Sequence, residues 1–144
     1  RGGSNGLESD TNGGMPRPPL PPEVDELLRR PNPAVVASMR PDGSPHSVAT
    51  WYLWDGERIL LNMDESRARL GFLRHEPRVS LTVLDAESWY SQVNLDGRVA
   101  ELVDDERLED IDRLALHYTG RPFRDREHRR MSAWVEVERW HAWT

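Results

Sequence analysis

Two Asp-Gly pairs place the tightest constraint on this chain. Asp42-Gly43 and Asp55-Gly56 each separate short apolar, β-branched runs. The runs are AVVASMR over 34–40, HSVATWYLW over 46–54 and ERILLNM over 57–63. Asp-Gly is the dipeptide that tight hairpin turns favour, because glycine reaches positive φ without a Cβ clash. Three strands joined by two such turns predict an antiparallel meander.

The remaining elements follow from local patterns. PPEVDELLRRP, 21–31, reads as a short helix, with Pro22 in its first turn, acids early, Arg29 and Arg30 late, and Pro31 ending it. DESRARLGFLRHE, 64–76, reads as a second helix capped by Asp64 or Ser66. Leu70, Phe72 and Leu73 supply its apolar contacts, and Gly71 would let it approach a neighbour closely. RVSLTVLD, 78–85, reads as a strand, and SWYSQVNLDGRVAELVD, 88–104, as one long strand or two broken at Asp96-Gly97. In DERLEDIDRLALHYTG, 105–120, Leu108, Ile111, Leu114 and Ala115 share one helix face, and Gly120 is a stop signal. RPFRDREHRR is a charged loop or irregular helix. SAWVEVERWHAW alternates apolar and polar, as a final strand should.

The sum is six or seven strands and two or three helices, without the βαβ alternation of a doubly wound fold. An α+β domain built on an antiparallel barrel fits this order. At 144 residues the chain suits one domain, placed at 15–144. Residues 1–14, RGGSNGLESDTNGG, hold a single large apolar residue, Leu7, and are expected to be a flexible tail or an expression remnant before Met15. MPRPPLPPE then reads as a stiff extended lead-in.

A formal net charge of -6 argues against bulk attraction to nucleic acid or to anionic membranes, so any anion site must be local. No apolar run approaches the roughly 20 residues of a membrane span. With no cysteine, disulfides, thiolate metal sites and cysteine nucleophiles are out of reach. A cytoplasmic protein is expected.

Within this acidic chain, NMDESRARLGFLRHEPRVSL, 62–81, concentrates Arg67, Arg69, Arg74 and Arg78. Arg67 and Arg74 are seven apart and would share a helix face. A helix start near Asp64–Ser66, with the Ser66 hydroxyl and Arg67 beside free backbone N–H groups, makes a competent phosphate site. The same pattern also describes a solvated charged helix. In SVATWY, the small residues Ser47, Val48, Ala49 and Thr50 leading to Trp51 would let a flat ring lie along a strand; an ordinary barrel strand reads identically. Gln92 and Asn94 share one face of a strand and point to solvent or to a ligand.

His46, His75, His117, His128 and His141 form no His-x-x-x-His pair, and no acidic cluster has calcium-loop spacing, so no metal site is expected. The serine-hydrolase elbow, the phosphate-binding loop with lysine and the Gly-x-Gly-x-x-Gly turn are all missing.

Taken in order, LPPEVDELLRRPNPAVVASMRPDGSPHSVATWYLWDG, SRARLGFLRHEPRVSLTVLD, WYSQVNLDG, HYTGRPF and VERWHAW resemble the pyridoxamine 5′-phosphate oxidase-like split β-barrel superfamily of FMN-binding type. Within it the chain is most similar to the actinobacterial F420-dependent (flavin/deazaflavin) oxidoreductases. The likeness spans about residues 20–143.

The resemblance implies a homodimer with two cofactor sites in grooves between subunits. It lays the strand Ser47, Val48, Ala49, Thr50 and Trp51 along the flavin or deazaflavin ring. Asn62, Met63, Ser66 and Arg67 fall where relatives grip the cofactor phosphate, and Gln92 matches a glutamine near the cofactor. The C-terminal tryptophan region is implied to line the partner's site. Relatives carry Arg-Lys where this chain has Arg67-Ala68, which shifts the grip to Arg67 with Arg69 or Arg74. The Arg-Leu-x-Pro pattern of true pyridoxamine phosphate oxidases is missing, so that activity is not expected.

The function implied is hydride transfer from reduced coenzyme F420 to an unsaturated, electron-poor small molecule, with no side chain assigned as catalytic. F420 carries a phosphate and an anionic glutamyl tail, which an arginine-rich rim suits. Two alternatives stand beside it. One is an FMN-dependent oxidase or reductase on the same barrel. The other is a non-catalytic flavin- or haem-binding module, for which His46, His75 or His141 would be the axial ligand. Loops 85–90 and 119–131 would shape the substrate pocket.

Overall fold

The computed structural model describes residues 15–143, so the tail expected at 1–14 lies outside the described part. In chain order the elements are α1 (Pro22–Arg29), β1 (Ala34–Met39), β2 (Pro45–Thr50), β3 (Leu53–Trp54), β4 (Arg58–Asp64), α2 (Ala68–His75), β5 (Arg78–Leu84), β6 (Gln92–Asp104), α3 (Glu109–Thr119) and β7 (Arg130–Trp143). The seven strands make one sheet in the order β2-β1-β5-β6-β7-β4-β3. Every neighbouring pair is antiparallel.

Strands β2 and β3 occupy the two opposite edges of this sheet, yet only Trp51 and Tyr52 separate them in sequence. A link from Thr50 to Leu53 spans at most about 10 Å when extended. The sheet must therefore curl until its edges nearly meet, which gives an antiparallel barrel split between β2 and β3. The expected α+β split barrel is the fold observed.

Both Asp-Gly turns form as read. Asp42 Oδ1 accepts the Ser44 N–H at 2.9 Å, and Asp55 Oδ1 accepts those of Glu57 and Arg58 at 2.8 and 2.6 Å. Gly43 and Gly56 take φ of 87° and 96°. The meander, however, does not. The expected strand 46–54 divides at Trp51-Tyr52, so β2 pairs with β1, and β4 pairs with the short β3 and with β7. Tyr52 explains the break. Its ring is fully buried, its hydroxyl donates to the Leu28 carbonyl at 2.8 Å, and its N–H donates to the Tyr118 hydroxyl at 3.4 Å instead of to a strand. Burying the phenol under α1 outweighs one lost ladder bond.

Helix α2 also starts later than its sequence suggests. Asp64 is still in β4, opposite Arg130, and its carboxylate accepts the Ser66 N–H at 2.8 Å and the Ser66 hydroxyl. Arg67 is the residue before the first turn, with no side-chain cap. Gly71 faces open space, so no close helix packing depends on it. Residues 88–91 form a turn, and the strand proper begins at Gln92.

Alternation fills the barrel. Val79, Leu81 and Val83 of β5 and Val93, Leu95 and Val99 of β6 point inward, joined by Val24, Leu27 and Leu28 of α1 and Leu70 and Leu73 of α2. Strand β4 is buried on both faces. Ile59, Leu61 and Met63 face the barrel, while Leu60 packs outward with Ile111 and Leu114 of α3. Along that outer face the register pairs Leu60 with Trp134, Asn62 with Ser132 and Asp64 with Arg130. Apolar packing thus gives way to polar groups towards the α2 end. β6 and β7 slip register between Asp96 and Gly97, where a Cβ on Gly97 would overlap the Glu136 carbonyl oxygen. Among the described residues no helix is long and apolar enough to cross a membrane.

Candidate functional site

A cavity of about 840 Å³ opens beside the split in the barrel. Its volume falls in the range of small-molecule and cofactor sites. One wall is β2 and its exit, with His46, Val48, Ala49, Thr50 and Trp51. Opposite are the end of β4, through Asn62 and Met63, and the start of α2, through Arg67, Ala68 and Arg69. The C-terminal half of the chain contributes Tyr118, Phe123 and Arg130, while Pro31, Pro33 and Ala34 close one end.

Of the residues expected to hold a cofactor, eight meet here: Val48, Ala49, Thr50, Trp51, Asn62, Met63, Arg67 and Arg69. Four lie outside the lining. Ser47 is exposed and does not reach the lining. Ser66 gives its hydroxyl to Asp64. Arg74 is exposed near the far end of α2, and the Arg67–Arg74 shared face fails because Arg67 precedes the helix. Gln92 opens β6, opposite Leu84 and Trp143. Neither His75 nor His141 lines the cavity.

Arginine chemistry dominates one end. Arg67, Arg69 and Arg130 all reach the cavity. The Arg69 Nε is buried with no hydrogen-bond partner. Burial, and then the like charges of Arg67 and Arg130, hold the Arg69 pKa below its ordinary value. Arg130 is lowered too, first by burial, with partial compensation from Asp64 and Asp125. Arg67 has one carboxylate nearby, Asp64 at 3.7 Å. Three clustered guanidiniums, one of them with an unpaired buried N–H, form a cradle that Asp64 and Asp125 only partly compensate. A phosphate or other polyanion satisfies both needs, since guanidinium forks match its oxygens.

The rest of the lining is flat and apolar. Trp51 stacks on Tyr118 with ring centroids 5.3 Å apart and planes 11° from parallel, and Phe123 meets Trp51 edge-on at 6.2 Å. The Arg130 guanidinium sits over the Phe123 ring at 4.7 Å, so the aromatic wall runs into the cradle. The small side chains of Val48, Ala49 and Thr50 leave the β2 backbone accessible to a planar ligand. Burial pushes the Tyr118 pKa up to about 12. Its hydroxyl donates to the Asn32 carbonyl at 2.7 Å and accepts the Tyr52 N–H. That group is neutral and occupied, and so serves structure rather than proton transfer. His46 also faces the cavity, its Nδ1 buried without a partner and its ring edge against Phe72 at 5.3 Å.

Tyr118 and Phe123 sit in HYTGRPF, and Phe123 and Arg130 in the loop 119–131 expected to shape the pocket, but no pattern marks any of the three as an individual site residue. Arg130 is one of several arginines in RDREHRRM, and only its register opposite Asp64 turns it to the cavity while Arg129 turns to Asp104 and Glu65. The aromatic residues come from the end of α3 and the loop after it, whose course no local pattern specifies.

Residues 20–144 match the family described as pyridoxamine 5′-phosphate oxidase. No curated protein matches the chain in sequence. Among solved structures, an F420 reductase superposes with a TM-score of 0.75 at 26% identity, covering 81% of this chain and 94% of that one. The conserved hypothetical protein Rv2991 from Mycobacterium tuberculosis superposes at 0.67 with 24% identity, covering 97% of this chain and 88% of its own. General Stress Protein 26 from Bacillus anthracis superposes at 0.60 with 12% identity, over 84% and 94% of the two chains. The last two likenesses concern the fold alone.

Proposed function

The chain belongs to the pyridoxamine 5′-phosphate oxidase family, and from that premise we propose that it is an oxidoreductase using reduced coenzyme F420 to reduce an electron-poor small organic molecule. The observation that carries the proposal is the cradle of Arg67, Arg69 and Arg130 beside a flat wall of Val48, Ala49, Thr50 and Trp51. Likeness to an F420 reductase at 26% identity favours the deazaflavin over other flavins.

When bound, the cofactor supplies hydride chemistry at its ring. The chain's own residues bind and orient it. Arg67, Arg69 and Arg130 hold the phosphate end, with their charge already clustered before the ligand arrives. Val48, Ala49 and Thr50 support one ring face, and Met63 and Trp51 narrow the space around it. The aromatic wall excludes water from the ring. No lining side chain is assigned to move a proton. The partner expected is a small-molecule substrate, and a homodimer, cytoplasmic, with each site completed at the subunit interface, is part of the same proposal.

A second reading, FMN in the same cavity, has support from the cradle itself, which is large enough for one phosphate and makes no demand for a longer anionic tail. Titrating the protein with F420, FMN and haem while following tryptophan fluorescence separates the readings, because Trp51 lines the cavity. Tight binding of F420, with hydride transfer to an enone, quinone or nitroaromatic, is expected. Binding of FMN but not F420 would overturn the deazaflavin assignment. Haem binding through His46, without either flavin, would overturn both.

A further inference from the structure

Behind the cavity wall lies a buried polar cluster that an anion contact does not by itself require. Asn62, Asp105 and Ser132 are 7%, 6% and 0% exposed. Polar groups this deep are costly unless each is paired, and here each is. Asn62 Oδ1 accepts the Arg130 Nε–H at 2.7 Å. Asn62 Nδ2 donates its two hydrogens to Asp105 Oδ2 at 3.1 Å and Ser132 Oγ at 3.0 Å. Ser132 in turn donates to Asp110 Oδ2 at 2.7 Å.

The orientation of this chain of bonds is set from its far end. Asp105 Oδ1 and Oδ2 accept the N–H groups of Asp110 and Ile111 at 3.1 and 2.9 Å, which are otherwise orphan donors in the first turn of α3. The residue at the cap position itself, Leu108, contributes no side-chain bond. With both carboxylate oxygens so engaged, Asp105 presents only an acceptor to Asn62. The Asn62 amide must turn its nitrogen that way, and its oxygen then faces Arg130; the flipped amide would set acceptor against acceptor and donor against donor.

We infer that Asn62 and Asp105 are positioning residues, a buried relay that runs from the start of α3 to Arg130 and presents its guanidinium to the cavity as an anion ligand. The inference rests on the reading of the arginine cradle given above. Nε is held by Asn62, one face lies on Phe123, and the two terminal nitrogens make no hydrogen bond to any described residue. Those are the nitrogens a bidentate oxyanion takes. Asn62 thus lines the cavity without a free amide hydrogen to offer a ligand. Arg130 offers a cation from β7 in a chain whose position 68 is alanine.

The test is a double-mutant cycle on the full chain, titrated with F420 and with FMN. Arg130→Ala and Asn62→Ala are each expected to weaken binding by about tenfold, the scale of a lost hydrogen bond to a charged group. Adding Asn62→Ala to Arg130→Ala should then weaken it by less than about twofold, because the relay acts only through Arg130. Independent, multiplying losses would overturn the inference. The Arg130 Nε–H is read separately by NMR hydrogen exchange in the ligand-free protein. It should exchange slowly in the wild type and fast in Asn62→Ala; equal rates would overturn the relay. If the wild type binds neither flavin, the proposed function fails and the exchange measurement alone decides the relay. Asn62→Ser, too short to reach Nε, is read the same way should Asn62→Ala not fold.

Discussion

The Trp51 indole lies flat on the Tyr118 phenol, 5.3 Å between centroids and 11° between planes. Trp51 is the residue at which the chain leaves one sheet edge for the other, and Tyr118 belongs to the last turn of α3. The stack therefore pins the split of the barrel to a helix from the other half of the chain. Tyr118 extends the link through its hydroxyl, which bonds the Asn32 carbonyl before β1.

Tyr118→Phe should keep the stack and lose that bond. Removing one half-buried hydroxyl leaves the Asn32 carbonyl and the Tyr52 N–H unpaired, which predicts a loss of about 1–3 kcal/mol in urea unfolding. Tyr118→Ala, which deletes the ring as well, should cost about 3–5 kcal/mol and open the cavity wall. Equal losses for the two variants would show that the ring contributes nothing.

Arg69 should trade stability for binding. Its Nε is buried without a partner and its charge is opposed by Arg67 and Arg130. Arg69→Met keeps the length, removes the charge and relieves the unpaired donor. Thermal unfolding of the ligand-free variant is expected at an equal or higher temperature than wild type, while affinity for F420 or FMN falls by at least about tenfold. A destabilised variant with intact affinity would mean the guanidinium is structural.

Two glycines should respond with opposite sign. At Gly97 a Cβ would overlap the Glu136 carbonyl oxygen and stand 3.0 Å from Val135 Cγ1, at the register slip of β6 on β7. Gly97→Ala should cost about 2–3 kcal/mol, since neighbouring backbone must move. Gly71 faces open space within α2, so Gly71→Ala should add about 0.5–1 kcal/mol by removing chain entropy from the unfolded state. Chemical denaturation of both variants checks the pair.

Acid sensitivity should track Glu76. Hydrogen bonds from the Arg78 side chain at 2.9 and 3.0 Å and from its backbone N–H at 3.1 Å bring the Glu76 pKa from 4.5 down to about 2. A carboxylate depressed on folding lends stability that is present above its unfolded pKa and lost as pH falls through the folded one. The stability difference between wild type and Arg78→Ala should then be constant above about pH 5 and shrink towards zero near pH 2. A difference that persists at pH 2 would assign it to packing. An NMR titration of the Glu76 carboxyl gives the same answer directly.

Much of the site was legible because strand alternation and turn chemistry are local. The cavity positions of Val48, Ala49, Thr50 and Trp51 were legible from small residues along one strand, those of Arg67 and Arg69 from an arginine run in an acidic chain, and those of Asn62 and Met63 only through the family resemblance. Ser66 and Arg74 fell outside the lining for one reason. The helix start was read at the first capping residues, but Asp64 stays in β4 because its partner Arg130 extends the ladder. A cap signal is local, whereas the end of a strand depends on how far its neighbour continues.

Sequence alone determined most element types, the two Asp-Gly turns, the local clustering of arginines in a chain of net charge -6, and the α+β barrel class. These follow from backbone φ preferences, side-chain periodicity and charge, which act over a few residues. Tertiary structure decided that β2 and β3 stand at opposite edges, that Tyr118 and Phe123 complete the wall, and that Arg130 enters the cradle on Asn62. Each of those depends on residues more than 60 positions apart in sequence or on the closure of the whole sheet. Burial of Tyr52 beneath α1 and the β4–β7 register settle them, and neither is encoded in any short stretch of the chain.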